Sequence, residues 1–385
     1  MLILILLISI YHMHIKSKNI FDKLKAVCFG IFIGLLLCEI ILRIYNPFPF
    51  SIKKGNLVLP ANQNKVFINK WISKLDKEIY YSRNSLGFRG PELPADSPGL
   101  IKIITIGGST TECKFLSDSC TWSFRLYKKL QQTDTSIWLN NAGIDGHSTF
   151  GHLLLLDEYV MKLKPQFAVF LTGINDEELD KPDQYDLMTE KKINTRSVKL
   201  FLKSLLNHTE LGRTAFGFYQ VQMAYKKGLI HREIKLSDLT DYYLPDSVIK
   251  KRLREQEKYL QAYKERIDSL INKCRQANIQ PILITQPSLF GSYTDSATQV
   301  VMGTKWLKDE KKEDNSLVQE KILELYNDVL RSWSGKIPVI DLACLMPKNS
   351  IYYYDFIHFT NAGAEKVSDI LASSLTKIIA IKKKN

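Results

Sequence analysis

Four short segments combine residue types that can carry acyl chemistry. The first is Asp355-Phe-Ile-His358, just before Thr360-Asn361 opens the last helical stretch. A spacing of three on a turn brings both side chains to one side, where a carboxylate can orient an imidazole and stabilise it once protonated. A lone Asp/His pair is more often a surface hydrogen bond, so its meaning depends on what accompanies it. The second segment is Gly107-Gly108-Ser109-Thr110, directly after the apolar run IKIITI. Paired glycines let the chain turn tightly, so that the Ser109 hydroxyl projects from a helix start and its amide faces a developing anion. A phosphate-binding loop is the competing reading of such a turn, but the GxxxxGK[ST] pattern is missing. The third, Asn141-Ala-Gly143, places a glycine where backbone could approach a ligand or simply turn. The fourth, Gly173-Ile-Asn175-Asp176, offers a neutral amide donor for an oxyanion, or an Asn/Asp cap.

The elements that must position these residues are legible as alternating strands and helices. Residues 101–106, 137–141, 167–172, 280–285 and 337–342 are short apolar runs, while 122–132 and 147–163 have helical spacing. That alternation predicts an α/β fold with a parallel sheet covered on both faces. The chemical segments then fall at carboxyl ends of strands, where doubly wound folds bind ligands. Residues 178–279 lose the strand signal and read as a mainly helical insertion, with one long amphipathic helix over 250–277 carrying Leu253, Leu260, Tyr263, Ile267 and Leu270. The aromatic stretch 216–225 reads as ordinary packing or as a substrate cap. His147 and His152 read as helix-surface residues, and Glu112 and Asp176 as loop or cap residues.

With these segments in this order, the sequence resembles the SGNH hydrolases, also called GDSL lipases or esterases. The matches are Ser109 in GGST, Gly143 in NNAG, Asn175 in GIND and His358 in DFIH, over residues 102–371. A tract like Asn84-Ser-Leu-Gly-Phe-Arg-Gly90 also resembles a membrane-anchored bacterial subgroup. The resemblance implies a three-layer, flavodoxin-like α/β/α sandwich and a triad of Ser109, His358 and Asp355. It also implies an oxyanion hole from the amides of Ser109 and Gly143 and the side chain of Asn175, with no metal or organic cofactor. Gly108 departs from the family's GDS pattern, which puts loop hydrogen bonding rather than the triad in doubt. The implied activity is hydrolysis of ester-linked acyl groups on extracytoplasmic glycans or lipids. O-acyl transfer to a cell-surface polysaccharide, and a catalytically silent glycan-binding or assembly module, remain alternatives.

The whole chain sets the surroundings. Its 385 residues and 45% apolar content suffice for a large core, and its net charge of +13 is spread along the chain among acidic residues, which argues against a nucleic-acid partner. Residues 26–45 form an apolar run about one bilayer core long, with Glu39 and Arg43 one helical turn apart. Lys16, Lys18, Lys23 and Lys25 precede it, so the positive-inside rule predicts a single-pass membrane protein with a cytoplasmic N-terminus and the large domain across the membrane. A cleavable signal peptide is the alternative, without a small-x-small cleavage site after Cys38. The resulting organisation is an anchor over 1–45, a lead over 46–99 and a hydrolase domain over 100–385. Residues 1–11 add a shorter apolar run of open role. Six cysteines without CxxC spacing argue against a structural metal, and in an exported domain Cys113 with Cys120, or Cys274 with Cys344, could bridge.

Overall fold

The computed structural model describes residues 20–44, 52–53, 56–57, 59–95, 99–182, 209–212, 214–215, 231–308 and 313–384. The chain divides into two compact units, residues 1–56 with 189–230, and residues 57–188 with 231–385. In the first unit, helix α1 (Ile20–Ile44) begins six residues before the apolar run. Its segment Asp22–Ile44 is long and apolar enough to cross a bilayer, which fits a membrane anchor and a signal sequence alike. The anticipated pair forms, with Arg43 Nε donating to Glu39 Oε1 at 2.7 Å, and Glu39 also accepts the backbone amides of Glu210 and Leu211.

The second unit is built on five parallel strands: β3 (Ile101–Gly107), β4 (Ile137–Asn141), β5 (Phe167–Thr172), β6 (Gln280–Thr285) and β7 (Val339–Ile340). Their spatial order is β7-β6-β5-β3-β4, the flavodoxin-like order, with the direction of winding reversing between β3 and β5. Nearly every strand residue is buried because helices cover both faces. Alternate positions divide the core. Ile103, Leu139, Val169 and Ile284 join the cluster of Leu126, Leu130, Val367 and Leu371 from helices α3 (Trp122–Thr133) and α9 (Asn361–Lys384). The opposite face is covered by α4 (Thr149–Leu155), α6 (Glu257–Gln276) and α7 (Ser316–Arg331).

Four expectations change. The lead is not a separate segment after residue 57: hairpin β1 (Gln63–Ile68) and β2 (Glu78–Arg83) belongs to the unit that contains the sheet. Arg89 and Asn141 exchange backbone hydrogen bonds, both 2.9 Å, so the NSLGFRG tract runs as an extra edge beside β4. The long helix over 250–277 is two helices, α5 (Asp246–Arg254) and α6, separated at Glu255 and Gln256. There the buried Gln256 side chain accepts a hydrogen bond from Tyr326 Oη at 3.2 Å, and α6 is part of the sandwich rather than of an insertion. The strand expected over 337–342 shrinks to β7, because Asp341 leaves the sheet to cap helix α8 (Leu342–Leu345). The cysteines are all free: Cys113 is buried with its thiol on the Thr110 carbonyl, and buried Cys274 contrasts with exposed Cys344. Residues 216–225 lie outside the described residues.

Candidate active site

At the end of β3 the chain must turn sharply past its neighbours. A side chain on Gly107 would collide with Thr111 and the Leu171 carbonyl, which accounts for the glycine. The turn leads into the single helical turn α2 (Ser109–Glu112), whose residues are all buried. Gly108 is equally constrained, because a Cβ there would strike the Asn175 side-chain amide and lie 3.0 Å from the His147 carbonyl. An aspartate at this position would compete with Asn175 for the same space.

Asn175 lies on the turn Ile174–Asp176 after β5, entered through Gly173 at φ +133°. Its amide donates to the His147 carbonyl at 2.9 Å, which fixes its orientation. The next residue, Asp176, is fully buried, accepts from the Thr149 amide and hydroxyl, and pairs with Arg266 at 3.1 Å. Burial raises the Asp176 carboxyl, and the facing guanidinium opposes that rise. The cap reading of Asp176 therefore extends to a buried ion pair that ties the Asn175 turn to α6.

The Asp355–His358 turn closes the arrangement. The Tyr353 and Phe359 bridge brackets it, and Asp355 Oδ1 accepts the amides of Ile357 at 2.9 Å and His358 at 2.7 Å. Asp355 Oδ2 lies 2.6 Å from His358 Nδ1, and His358 Nε2 lies 2.8 Å from Ser109 Oγ. Burial works to raise the Asp355 carboxyl, yet the facing His358 ring and the two amides hold it below the usual carboxylate range. An ionised Asp355 keeps the proton on Nδ1 and leaves Nε2 to accept one from Ser109. Ser109 is 6% exposed, which limits access to a narrow approach.

Gly143 departs from its expected role. Its amide donates to Asn141 Oδ1 at 2.8 Å, and a side chain there would collide with the backbone of Glu112. The glycine serves close passage beside α2. Three residues on, Gly146 has φ +76°, and its amide and that of Ser109 have no acceptor among the described residues. The surrounding turn is tied to the nucleophile loop, with the Ile144 amide donating to the Gly107 carbonyl at 3.1 Å. Sequence reasoning missed Gly146. Its signal was a second glycine in NAGIDG, with nothing in that string to tell which amide a side chain would occupy.

Two other residues change character. His147 and His152, expected on a helix surface, are each 1% exposed. Burial lowers His147 to about 4 and, with His147 nearby, lowers His152 to about 3. Both rings are neutral when folded but titrate from the ordinary value of 6.5 when unfolded. The unfolded chain therefore binds more protons below that value, and this stability, complete above it, is lost as pH falls toward the folded values. Lowering the pH from 7.5 to 5 is expected to cost about 2 kcal/mol per histidine. Urea unfolding at both pH values checks this, and His152→Leu is expected to remove its share of the difference.

Glu112, expected as a loop residue, is 4% exposed and receives Arg83 Nη2 at 2.7 Å, Tyr81 Oη at 2.8 Å and the Asp145 amide at 2.6 Å. Burial would raise this carboxyl, but Arg83 more than offsets it and Glu112 stays ionised. Arg89 Nη1 donates to the carbonyls of Glu112 at 2.7 Å and Cys113 at 2.8 Å, at the carboxyl end of α2. The two arginines around the NSLGFRG tract thus clamp the helical turn that carries Ser109.

No family model and no curated protein matches the chain. Among solved structures it is similar to an acetyl xylan esterase, with 14% identity, 71% of this chain and 98% of that chain covered, and a TM-score of 0.38. It is similar to a catalytic mutant of an acetylxylan esterase from Geobacillus stearothermophilus, at 13% identity, 72% and 96% coverage and a TM-score of 0.40. It is also similar to a GDSL-like lipase from Bacteroides thetaiotaomicron, at 16% identity, 74% and 89% coverage and a TM-score of 0.34. The solved structures that this central parallel sheet with flanking helices resembles are thus acetyl xylan esterases and GDSL-like lipases, at low sequence identity.

Proposed function

We propose that the chain is a membrane-anchored serine esterase that removes ester-linked acyl groups from extracytoplasmic glycans or lipids. The observation that carries this reading is the unbroken relay from Ser109 Oγ through His358 to Asp355, at 2.8 and 2.6 Å. His358 Nε2 takes the Ser109 proton as Oγ attacks the acyl carbon. The resulting oxyanion is received by the amides of Ser109 and Gly146 and the Asn175 side chain, donors fixed before the reaction. His358 returns its proton to the departing alkoxide, leaving an acyl group on Ser109. Water, deprotonated by the same imidazole, then attacks the acyl carbon, and His358 returns that proton to Ser109 Oγ as the carboxylic acid departs.

Helix α1 is the anchor in this reading, and the lysines before and in its first turns keep the N-terminus cytoplasmic. The full chain in detergent is expected to turn over p-nitrophenyl acetate and to release acetate from an acetylated polysaccharide. A folded protein that retains the polysaccharide but releases no acid would sink the esterase reading in favour of a silent binding module.

A further inference from the structure

His231 belongs to none of the four motifs, yet it lies against the candidate base. Its ring centroid is 4.1 Å from that of His358, at an interplanar angle of 41°. On another side it packs against Phe115, with centroids 4.9 Å apart. Both ring nitrogens are engaged: Nδ1 lies 2.6 Å from Tyr354 Oη, and Nε2 lies 3.2 Å from Asp145 Oδ1. Neither is left to bind a substrate or move its proton. Tyr354 in turn lies parallel to the His358 ring, at 9° and 5.4 Å.

We infer that His231, held by Asp145 and Tyr354, is a positioning residue that keeps the His358 ring aligned with Ser109. This inference rests on the esterase reading. His358 ends the Asp355–His358 turn, and its hydrogen bonds to Asp355 and Ser109 lie in the ring plane. In-plane bonds resist rotation poorly unless something bears on the ring itself, and His231 supplies that contact. Asp145 is the joint of the device, because its carboxylate holds His231 while its amide donates to Glu112, the last residue of α2. The group that positions the base is therefore tied to the helical turn that carries the nucleophile. Asp145, Asp355, His358, Lys114 and Tyr354 are the titratable groups facing His231. Burial favours its neutral form, and the facing Asp145 carboxylate more than reverses this, raising the ring above its ordinary value.

The test uses the full chain in detergent, with His231→Ala, His231→Gln, Asp145→Asn and the double variant His231→Ala/Asp145→Asn. Steady-state turnover of p-nitrophenyl acetate and the rate of fluorophosphonate attachment to Ser109 are measured for each, with circular dichroism confirming the fold. His231→Ala is expected to lower kcat and the labelling rate about 10- to 100-fold with KM nearly unchanged, since a small misplacement of a reacting group costs this much. His231→Gln, which keeps both hydrogen bonds within reach, is expected to recover part of the loss. The double variant is expected to be no worse than the poorer single one, as for two residues acting as a unit. Wild-type rates in His231→Ala, a loss confined to KM, or losses that multiply in the double variant would each overturn the inference while leaving the esterase reading intact. An inert Ser109 in the wild type would overturn both.

Discussion

Replacing Ser109 with alanine is expected to reduce ester turnover by about 10⁴- to 10⁶-fold, the range in which nucleophile loss leaves only binding and oxyanion stabilisation. Ser109 Oγ is the atom hydrogen-bonded to His358 Nε2, so no other hydroxyl inherits its geometry. Asp355→Asn is expected to lose about 10⁴-fold, because an amide in place of Oδ2 favours the wrong tautomer of His358. The double variant Ser109→Ala/Asp355→Asn is expected to be no slower than Ser109→Ala, since residues that act as a unit are not additive. Initial rates on p-nitrophenyl acetate check the series, and additive losses would show that the three groups do not work together.

The second large effect is on stability. Arg83 and Glu112 pair at 2.7 Å with side chains 5% and 6% exposed, and Arg83 Nη1 also donates to the Gly87 carbonyl at 2.7 Å. Arg83→Met leaves Glu112 ionisable and buried beside Tyr81 and the Asp145 amide without its cation. The expected loss is about 3–5 kcal/mol, the cost of an uncompensated buried charge, rather than the fraction of a kcal/mol that an exposed pair contributes. Glu112→Gln added to Arg83→Met is expected to restore part of this, because a neutral amide keeps the hydrogen bonds without the charge. Urea unfolding of the second unit's signal compares the three proteins. An unchanged midpoint for Arg83→Met would mean that the clamp on α2 contributes little.

The sheet was legible because its strands are short, mainly apolar runs between sharp boundaries. Runs such as FAVFLT are buried on both faces and end at glycines, so the strand ends, and with them Ser109 and Asn175, could be placed from order alone. The Asp355–His358 turn was legible for a local reason, its spacing of three. What could not be read depends on contacts distant in sequence. Arg83 and Glu112 are 29 positions apart, and nothing in the sequence around Arg83 names the carboxylate that it meets. Gly143 and Gly146 are told apart by the Asn141 side chain, which occupies one amide and not the other, and by the positive φ of Gly146. The burial of His147 and His152 is not legible in the sequence, because helical spacing reports which residues share a face and not whether that face is covered. His231 follows no motif, and only folding brings it beside His358, from which it is 127 positions away in the chain.

Whether Ser109 is an activated nucleophile is read by mass-spectrometric mapping of a fluorophosphonate on the intact protein. One adduct is expected, on Ser109, which forms in the wild type and disappears in His358→Ala although the hydroxyl remains. An unmodified Ser109, or an adduct that forms equally fast without His358, would contradict it.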